Sequence, residues 1–178
     1  MTRSVPRHRP TTGTGRHRVA WGPVLLVLAA VTPPAHAGAD CAIGSASLSF
    51  GDYAPALSTP DDTAVTVTVT CRYVAPGTTS VNYRVSLSEG LNATSATARR
   101  MAAGPDLLAY NVYDDPARTR VWGSGSGGTT VASGSMTVGP GVGNGTRTAT
   151  HVIYGRIPPL LDVEPGSYFD TLVLTLIY

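Results

Sequence analysis

The chain has 178 residues, of which 42% are hydrophobic and only 13% are charged, so it can form a core and is not a charge-driven disordered chain. All 13 basic residues are Arg, which excludes the phosphate-loop and Schiff-base chemistry that depends on Lys. Residues 1–37 carry five Arg and no acid, whereas residues 38–178 carry eight Arg and eleven acids, a net charge of −3. The overall charge of +2 is therefore no evidence for nucleic-acid binding, and none is predicted.

Residues 1–37 have the three-part pattern of a secretory signal peptide. A basic stretch precedes the apolar run 24–31, and Ala35-His36-Ala37 is a small-x-small cleavage sequence. We predict cleavage between Ala37 and Gly38, export by the Sec route, and a mature domain spanning 38–178. The apolar run is far shorter than the roughly 20 residues that a membrane-spanning helix needs, so no transmembrane segment is predicted.

The predicted mature part contains both cysteines of the chain, Cys41 and Cys71. An even pair of cysteines in an exported chain favours a disulfide. His151 is the single histidine of this part, and two Cys with one His do not make a zinc ligand set. No metal and no cofactor are predicted.

The mature part alternates apolar and polar residues with period two, which is typical of strands with one buried face. The predicted strands cover 46–50, 65–71, 81–88, 107–113, 129–138, 148–157 and 168–178. Clusters of Gly, Pro and Asp separate them, and only 93–103 is a candidate for a helical turn. Seven or eight short strands with such turns predict an all-β protein, an antiparallel β-sandwich.

The last predicted strand is apolar on both faces. Leu172, Leu174 and Leu176 lie on one face, and Val173 and Ile177 lie on the other. Such a strand belongs inside a sheet, and an unpaired apolar edge is prone to aggregate. Either an earlier strand of this chain pairs with it or another polypeptide does, and the pattern alone leaves both possibilities open.

A series of motifs in a fixed order resembles the spore coat protein U domain family. The motifs are LSFGDY at 48–53, YRVSL at 83–87, RRM at 99–101, LAYNVYDD at 108–115, VWG at 121–123, YGRIP at 154–158 and GSYFDTLV at 166–173. Members of that family include subunits of archaic chaperone–usher pili. The resemblance covers nearly all of 41–178.

The resemblance implies an immunoglobulin-like sandwich that lacks its last strand. In such pilins a periplasmic chaperone lends a strand first, and the N-terminal extension of a neighbouring pilin subunit replaces it at an outer-membrane usher. The strand-acceptor edge would be Leu172, Leu174 and Leu176, with Cys41 and Cys71 bracing the first two strands. The chain would be a structural subunit, not an enzyme, of a cell-surface pilus or coat that serves adhesion, biofilm formation or protection.

The sequence departs from the polymerising pattern ahead of the first cysteine. A donor subunit needs about ten alternating residues there, and only Gly38, Ala39 and Asp40 remain if cleavage follows Ala37. Three residues span at most about 11 Å. We therefore expect a chain that accepts a strand without donating one, such as a tip, terminal or minor subunit or a coat protein. A mature start near Trp21 would remove this expectation.

Other residues that suggest chemistry are interpreted structurally, because each lacks the pattern that its chemistry requires. They are His151 as a general base, Asp61-Asp62 and Asp114-Asp115 as calcium ligands, 123–128 as a phosphate loop, Arg99-Arg100 as an anion contact and Trp122 as a sugar platform. Arg99-Arg100 is expected to be a solvated surface pair, and Trp122 a packing residue.

Two other classes of function stay open. The first is a secreted module that recognises a surface or a glycan through its loops and does not polymerise. The second is a small exported hydrolase with His151 as its base, which the missing nucleophile motif disfavours.

Overall fold

The computed structural model describes residues 38–178 with the exception of Asp52, Ala54, Leu57, Ala75 and Pro165. Nine β-strands and one 3-10 turn, at Gly143–Gly145, are found in these residues. The strands are β1 (Ala39–Ile43), β2 (Asp61–Tyr73), β3 (Thr79–Leu87), β4 (Arg100–Ala103), β5 (Asp106–Ala109), β6 (Asn111–Tyr113), β7 (Ala132–Val138), β8 (Thr146–Ile157) and β9 (Leu174–Ile177).

The strands form two main sheets and one separate hairpin. The first sheet has the order β1-β2-β8-β6, the second has the order β7-β3-β9, and β4 pairs with β5. Every ladder is antiparallel. The predicted all-β antiparallel sandwich is therefore confirmed.

The core lies between the two main sheets, where the inward residues of the alternating strands meet. Val67 and Val69 of β2 and Val85 of β3 are buried, with at most 1% of each exposed. Trp122 is fully buried, and its indole Nε1 donates a hydrogen bond to the Val85 carbonyl at 2.9 Å. Trp122 is thus a core residue, as expected, and its N–H is paired as a buried indole requires.

A disulfide joins β1 to β2. Cys41 and Cys71 lie opposite each other in the register of the two strands, and their sulfur atoms are bonded. The predicted pairing, and its place on the first two strands, are confirmed. In the chain-entropy view, closing a loop of this size stabilises the fold by roughly 3–4 kcal/mol.

Three of the predicted elements differ from the structure. The candidate helical turn within 93–103 is only one hydrogen-bonded turn, in which Ala98 N donates to the Ser95 carbonyl at 3.1 Å. Arg100–Ala103 is strand β4 and turns through Gly104 and Pro105 into β5. The single strand predicted at 107–113 is two strands, β5 and β6, which belong to different sheets. The segments 46–50 and 168–173 lie outside the named strands, although both were predicted to be strands.

Candidate functional site

Two adjacent cavities of about 340 Å³ and 320 Å³ open between the sheets, beside the segments 46–50 and 168–173. The residues that line both cavities are Ser47, Leu48, Phe50, Met101, Tyr168 and Phe169. Because they share so much of their lining, we treat them as one site and call it the groove.

The floor of the groove is apolar and is contributed by four strands. Leu87 ends β3, Met101 lies in β4, Val112 in β6 and Ile153 in β8, and all four side chains are buried. Both main sheets and the hairpin thus contribute side chains to the floor, and the packing of these side chains sets the depth of the groove.

The first wall of the groove is the segment 44–50, which continues β1. The Gly44 amide still donates to the Thr68 carbonyl at 2.9 Å, but beyond it the wall belongs to no described strand. Leu48 and Phe50 pack over Gly155, where an added Cβ would lie 2.6 Å from Leu48 Cδ2 and 2.7 Å from Phe50 Cζ. The glycine of the YGRIP motif therefore provides the space in which this wall sits.

The second wall runs from Tyr168 into β9. Leu172, Leu174 and Leu176 are half-buried and pack against the core, whereas Val173 and Ile177 are about 60% exposed. One face of this segment thus packs against the core and the other is exposed, and the same residues share a face as in the predicted alternation.

The hydrogen-bonding direction of β9 follows from its pairing with β3. Ser88 N donates to the Val173 carbonyl at 3.0 Å, and Val173 N donates to the Ser88 hydroxyl at 2.9 Å, so both backbone groups of Val173 point toward the β3 side. Because antiparallel pairs alternate, the N–H and C=O groups of Leu172, Leu174 and Leu176 point to the opposite edge. No described strand is hydrogen-bonded to that edge, although part of β1 lies close to β9. The same leucines therefore present side chains to the core and backbone groups to an open edge.

The edge of β1 has the same arrangement. Val74 N donates to the Gly38 carbonyl at 3.1 Å, and Gly44 N donates to that of Thr68, so the even-numbered residues face β2. The odd-numbered residues Ala39, Cys41 and Ile43 therefore direct their backbone groups away from β2. Within the described residues β1 is an outer strand of its sheet, as β9 is of the other.

Hydrogen bonds hold the second wall at both of its ends without covering its open edge. Phe169 exchanges two backbone hydrogen bonds with Ala102 of β4, at 2.9 and 3.0 Å. The Tyr178 hydroxyl lies 3.3 Å from Asp40 Oδ1 on β1. The wall is therefore anchored while the groove between its ends stays open.

One polar pair interrupts the apolar lining of the groove. The Tyr110 hydroxyl donates to Asp170 Oδ2 at 2.7 Å, and Asp170 Oδ1 accepts the amides of Leu91 and Thr171, each at 2.8 Å. Burial, together with the hydrogen bond to Asp170, raises the pKa of Tyr110 far above its usual range. Tyr110 therefore remains a protonated donor at physiological pH. Sequence reasoning did not foresee this pair, although both residues lie in the quoted motifs.

Arg99 lies beneath the polar pair, and the expectation that Arg99-Arg100 is a solvated pair is wrong for Arg99. Only 1% of Arg99 is exposed, and its Nη2 donates to the carbonyls of Ser88 and Trp122 at 2.6 and 2.8 Å. Its Nη1 donates to Asn111 Oδ1 at 2.7 Å. Burial lowers the pKa of Arg99, and electrostatic interactions with the Tyr110 hydroxyl group and the Asp170 carboxylate oppose this shift. Arg100 is exposed as expected.

The remaining sequence candidates lie away from the groove. His151 Nε2 is 2.9 Å from the Tyr83 hydroxyl, and burial lowers the pKa of His151. Asp62 accepts two hydrogen bonds from Arg156, both at 2.7 Å. Side-chain hydrogen bonding to Arg156 lowers the pKa of Asp62. Asp114 is bonded to Arg120 at 2.9 Å. Within the described part of the chain, no three His, Cys, Asp or Glu residues come together as a metal site.

The 123–128 segment is a surface turn in which Gly125, Gly127 and Gly128 have positive φ. The predicted cleavage position between Ala37 and Gly38 falls at the limit of the described residues, and Ala37 lies outside them. In the residues that are described, no helix has the length and hydrophobicity needed to cross a membrane.

Comparisons with known proteins point to one family. The sequence profile of the Spore Coat Protein U domain matches residues 26–175. Protein U of Myxococcus xanthus is 30% identical over 154 residues, which are 81% of this chain and 80% of that protein. A structure with a similar chain is the chaperone–tip adhesion subunit pre-assembly complex CsuC–CsuE, from the archaic chaperone–usher Csu pili of Acinetobacter baumannii. It shares 22% identity at a TM-score of 0.49, over 79% of this chain and 40% of that one. The chain belongs to the Spore Coat Protein U domain family, because the profile matches most of its length and its sequence is similar to that of Protein U.

Proposed function

We propose that this chain is a structural, non-enzymatic subunit of a surface fibre or coat, and that its groove accepts a β-strand from another polypeptide. The observation that carries the proposal is the pair of open strand edges, on β1 and β9, on either side of an apolar floor. An added strand supplies backbone partners for open edges and apolar side chains for the floor, which is the logic of strand addition.

The expected gain from filling the groove is large. Four or five apolar side chains entering it at about 1.5–3 kcal/mol each contribute roughly 6–15 kcal/mol. That equals the whole stability of a typical domain. The free chain is then marginal, and the strand that fills the groove decides whether the fold persists.

The proposed route follows from the signal sequence and from the family resemblance. The chain is exported by the Sec route, and its signal peptide is cleaved between Ala37 and Gly38. A periplasmic chaperone first fills the groove, and a neighbouring pilin subunit replaces the chaperone at an outer-membrane usher. The assembled fibre or coat lies at the cell surface, where it serves adhesion, biofilm formation or protection.

The subunit accepts a strand but does not donate one, which makes it a tip, terminal or minor subunit or a coat protein. Gly38 already bonds to Val74, and Ala39 and Asp40 lie in β1, so the residues just after the proposed cleavage position are used within the chain's own sheet. Sequencing of the mature N-terminus tests this part, since a start near Trp21 leaves enough residues for a donor arm.

The central test is co-expression with a periplasmic chaperone of the archaic type. An equimolar complex is expected, and Leu174→Asp should abolish it because it places a charge on the inward face of the acceptor edge. Thr175→Asp is the matched control, since Thr175 is the next residue in the chain and its side chain is exposed and faces away from the core. A stable lone monomer that binds no chaperone would favour the non-polymerising surface- or glycan-binding module. Hydrolytic turnover that is lost in a His151 variant would favour the small exported hydrolase.

A further inference from the structure

The polar pair Tyr110–Asp170 stands among apolar residues where an added strand would lie. Leu48, Leu172 and Leu174 line the same cavity as the pair. The ring of Phe50 packs edge-on against that of Tyr110, with the centroids 6.2 Å apart. An occupant of the groove therefore meets two oxygen atoms at one point of an otherwise apolar surface.

The hydrogen-bond inventory of the pair shows what an occupant must supply. Asp170 Oδ1 has two donors, whereas Tyr110 is the one described donor to Oδ2. The Tyr110 hydroxyl uses its single O–H donor in the hydrogen bond to Asp170, and the hydroxyl oxygen can still accept a hydrogen bond. Both oxygens that remain available are acceptors, and the group that satisfies them has to be a donor.

The carboxyl group of Asp170 is held firmly in this position. Its bond to the Leu91 amide ties the second wall to the loop after β3, and a Cβ on Gly90 would lie 2.1 Å from Asp170 Oδ2. The positive charge of Arg99 is buried nearby and stabilises negative charge on this side of the floor. The acceptors therefore cannot turn away when an apolar residue approaches.

We propose that the groove selects a strand with one hydrogen-bond donor side chain, a hydroxyl or an amide, at the position that faces Tyr110 and Asp170. This inference rests on the proposed function, because it specifies the strand that the groove accepts. An apolar side chain at that position removes water from two acceptors and returns no hydrogen bond, which is a penalty of the size of a buried unsatisfied group.

Threonine and valine are nearly equal in shape, so exchanging them isolates the hydrogen bond. At the position facing the pair, Thr is expected to bind about 5- to 150-fold more tightly than Val, the ratio that corresponds to ~1–3 kcal/mol. At every other inward-facing position, Val is expected to bind more tightly than Thr, since those positions meet the apolar floor.

The experiment uses the exported, processed protein and synthetic peptides of about 10–12 residues, a length that spans both walls at ~3.3 Å per residue. The parent peptide has Val at all inward-facing positions and Ser between them, and each Val is changed to Thr in turn. Affinity is measured by fluorescence anisotropy of a labelled peptide. The expected result is one position, and no other, at which Thr improves binding.

Variants of the pair locate that position in the structure. The double variant Tyr110→Phe/Asp170→Leu removes both acceptors and should reduce the preference for Thr to within about 3-fold of none, while the parent all-Val peptide still binds. Asp106→Leu is the matched control, because Asp106 is exposed on the hairpin and lies outside the groove lining. It should leave the preference unchanged.

The outcomes separate this inference from the proposed function. If the parent peptide binds and no position prefers Thr, the inference is wrong and strand acceptance stands. If the preference persists in Tyr110→Phe/Asp170→Leu, its source is elsewhere and the inference is also wrong. If no peptide binds under conditions in which the protein is folded, the proposed function fails, and the inference fails with it. Should the double variant not fold, the scan on the unaltered protein still decides.

Discussion

The closed core and the groove are built from the same kind of inward-facing apolar residues, yet they bury them to different extents. The core side chains are at most 1% exposed, as in Val67, Val69 and Trp122. Strand β2, which carries the two valines, is paired on both sides, and the core between the two main sheets encloses these side chains. Leu48, Leu172 and Leu174 face inward as well and remain only half-buried. The difference teaches that alternation determines which way a side chain faces, whereas burial needs a further strand.

The strongest way to sharpen this comparison is to fill the groove. The chain with a bound donor strand should be more stable than the free chain by roughly 6–15 kcal/mol, because apolar side chains cover the half-buried leucines. Denaturant unfolding of the chaperone complex and of the chaperone-free chain measures the difference. Equal midpoints for the two forms would contradict the proposed role of the groove.

A pair of truncations compares the two regions directly. Trp122→Ala should lower the free energy of unfolding by about 3–5 kcal/mol, because it empties a closed site. Leu174→Ala should cost only about 1 kcal/mol in the free chain, since its side chain is already partly in water, and about 2–5 kcal/mol once a strand covers it. Urea unfolding of each variant, with and without the donor strand, checks this. A Leu174→Ala cost that is unchanged by the strand would argue against occupation of the groove.

The buried arginine provides a third comparison, between neighbours in the sequence. Arg99→Met should destabilise the chain by roughly 3 kcal/mol, because the carbonyls of Ser88 and Trp122 lose their donors in a dry environment. Arg100→Met, the exposed control, should change stability by about 0.5 kcal/mol or less. Thermal unfolding of both variants measures the effect. Equal effects of the two substitutions would mean that the buried hydrogen bonds of Arg99 do not contribute to the free energy of unfolding.

The smallest expected effect is a pH dependence that belongs to the closed part of the molecule. Burial lowers the pKa of His151 below its ordinary value of 6.5, so the unfolded chain binds a proton more readily. Stability is therefore complete above about pH 6.5 and declines as the pH falls toward the pKa of the folded state. Denaturant unfolding between about pH 5 and 8 should show this slope, and His151→Gln should flatten it. An unchanged slope in that variant would assign the dependence to another group.

Much of the fold is predictable from local periodicity. The runs in 65–71, 81–88, 129–138 and 148–157 became β2, β3, β7 and β8, because each has a partner strand within the chain. In 46–50 the alternation grouped Leu48 and Phe50, which are half-buried, with Ala46, which is exposed, and in 168–173 it placed Leu172 and Val173 on opposite faces, as observed. Neither segment forms a continuous strand, since continuous pairing depends on a neighbouring strand and not on the segment itself.

The errors have tertiary causes. The Ala-rich stretch 93–103 has helical propensity, but burial of Met101 and the pairing of Ala102 with Leu107 determine its conformation. Arg99 and Arg100 look alike in the sequence, and only the folded chain shows that acceptors from Ser88, Asn111 and Trp122 surround one of them. The polar pair Tyr110–Asp170 was unforeseen for the same reason, because 60 positions separate its members.

The Cys41–Cys71 bond has a mechanical consequence. The wall 44–50 is continuous with β1, so a pull on a strand seated in the groove is transmitted along the backbone to Cys41. From there the load passes to β2 through a covalent link, in addition to hydrogen bonds that break one after another. In the proposed fibre, tension would therefore detach the accepted strand, or separate the remaining ladders, before it separated β1 from its sheet.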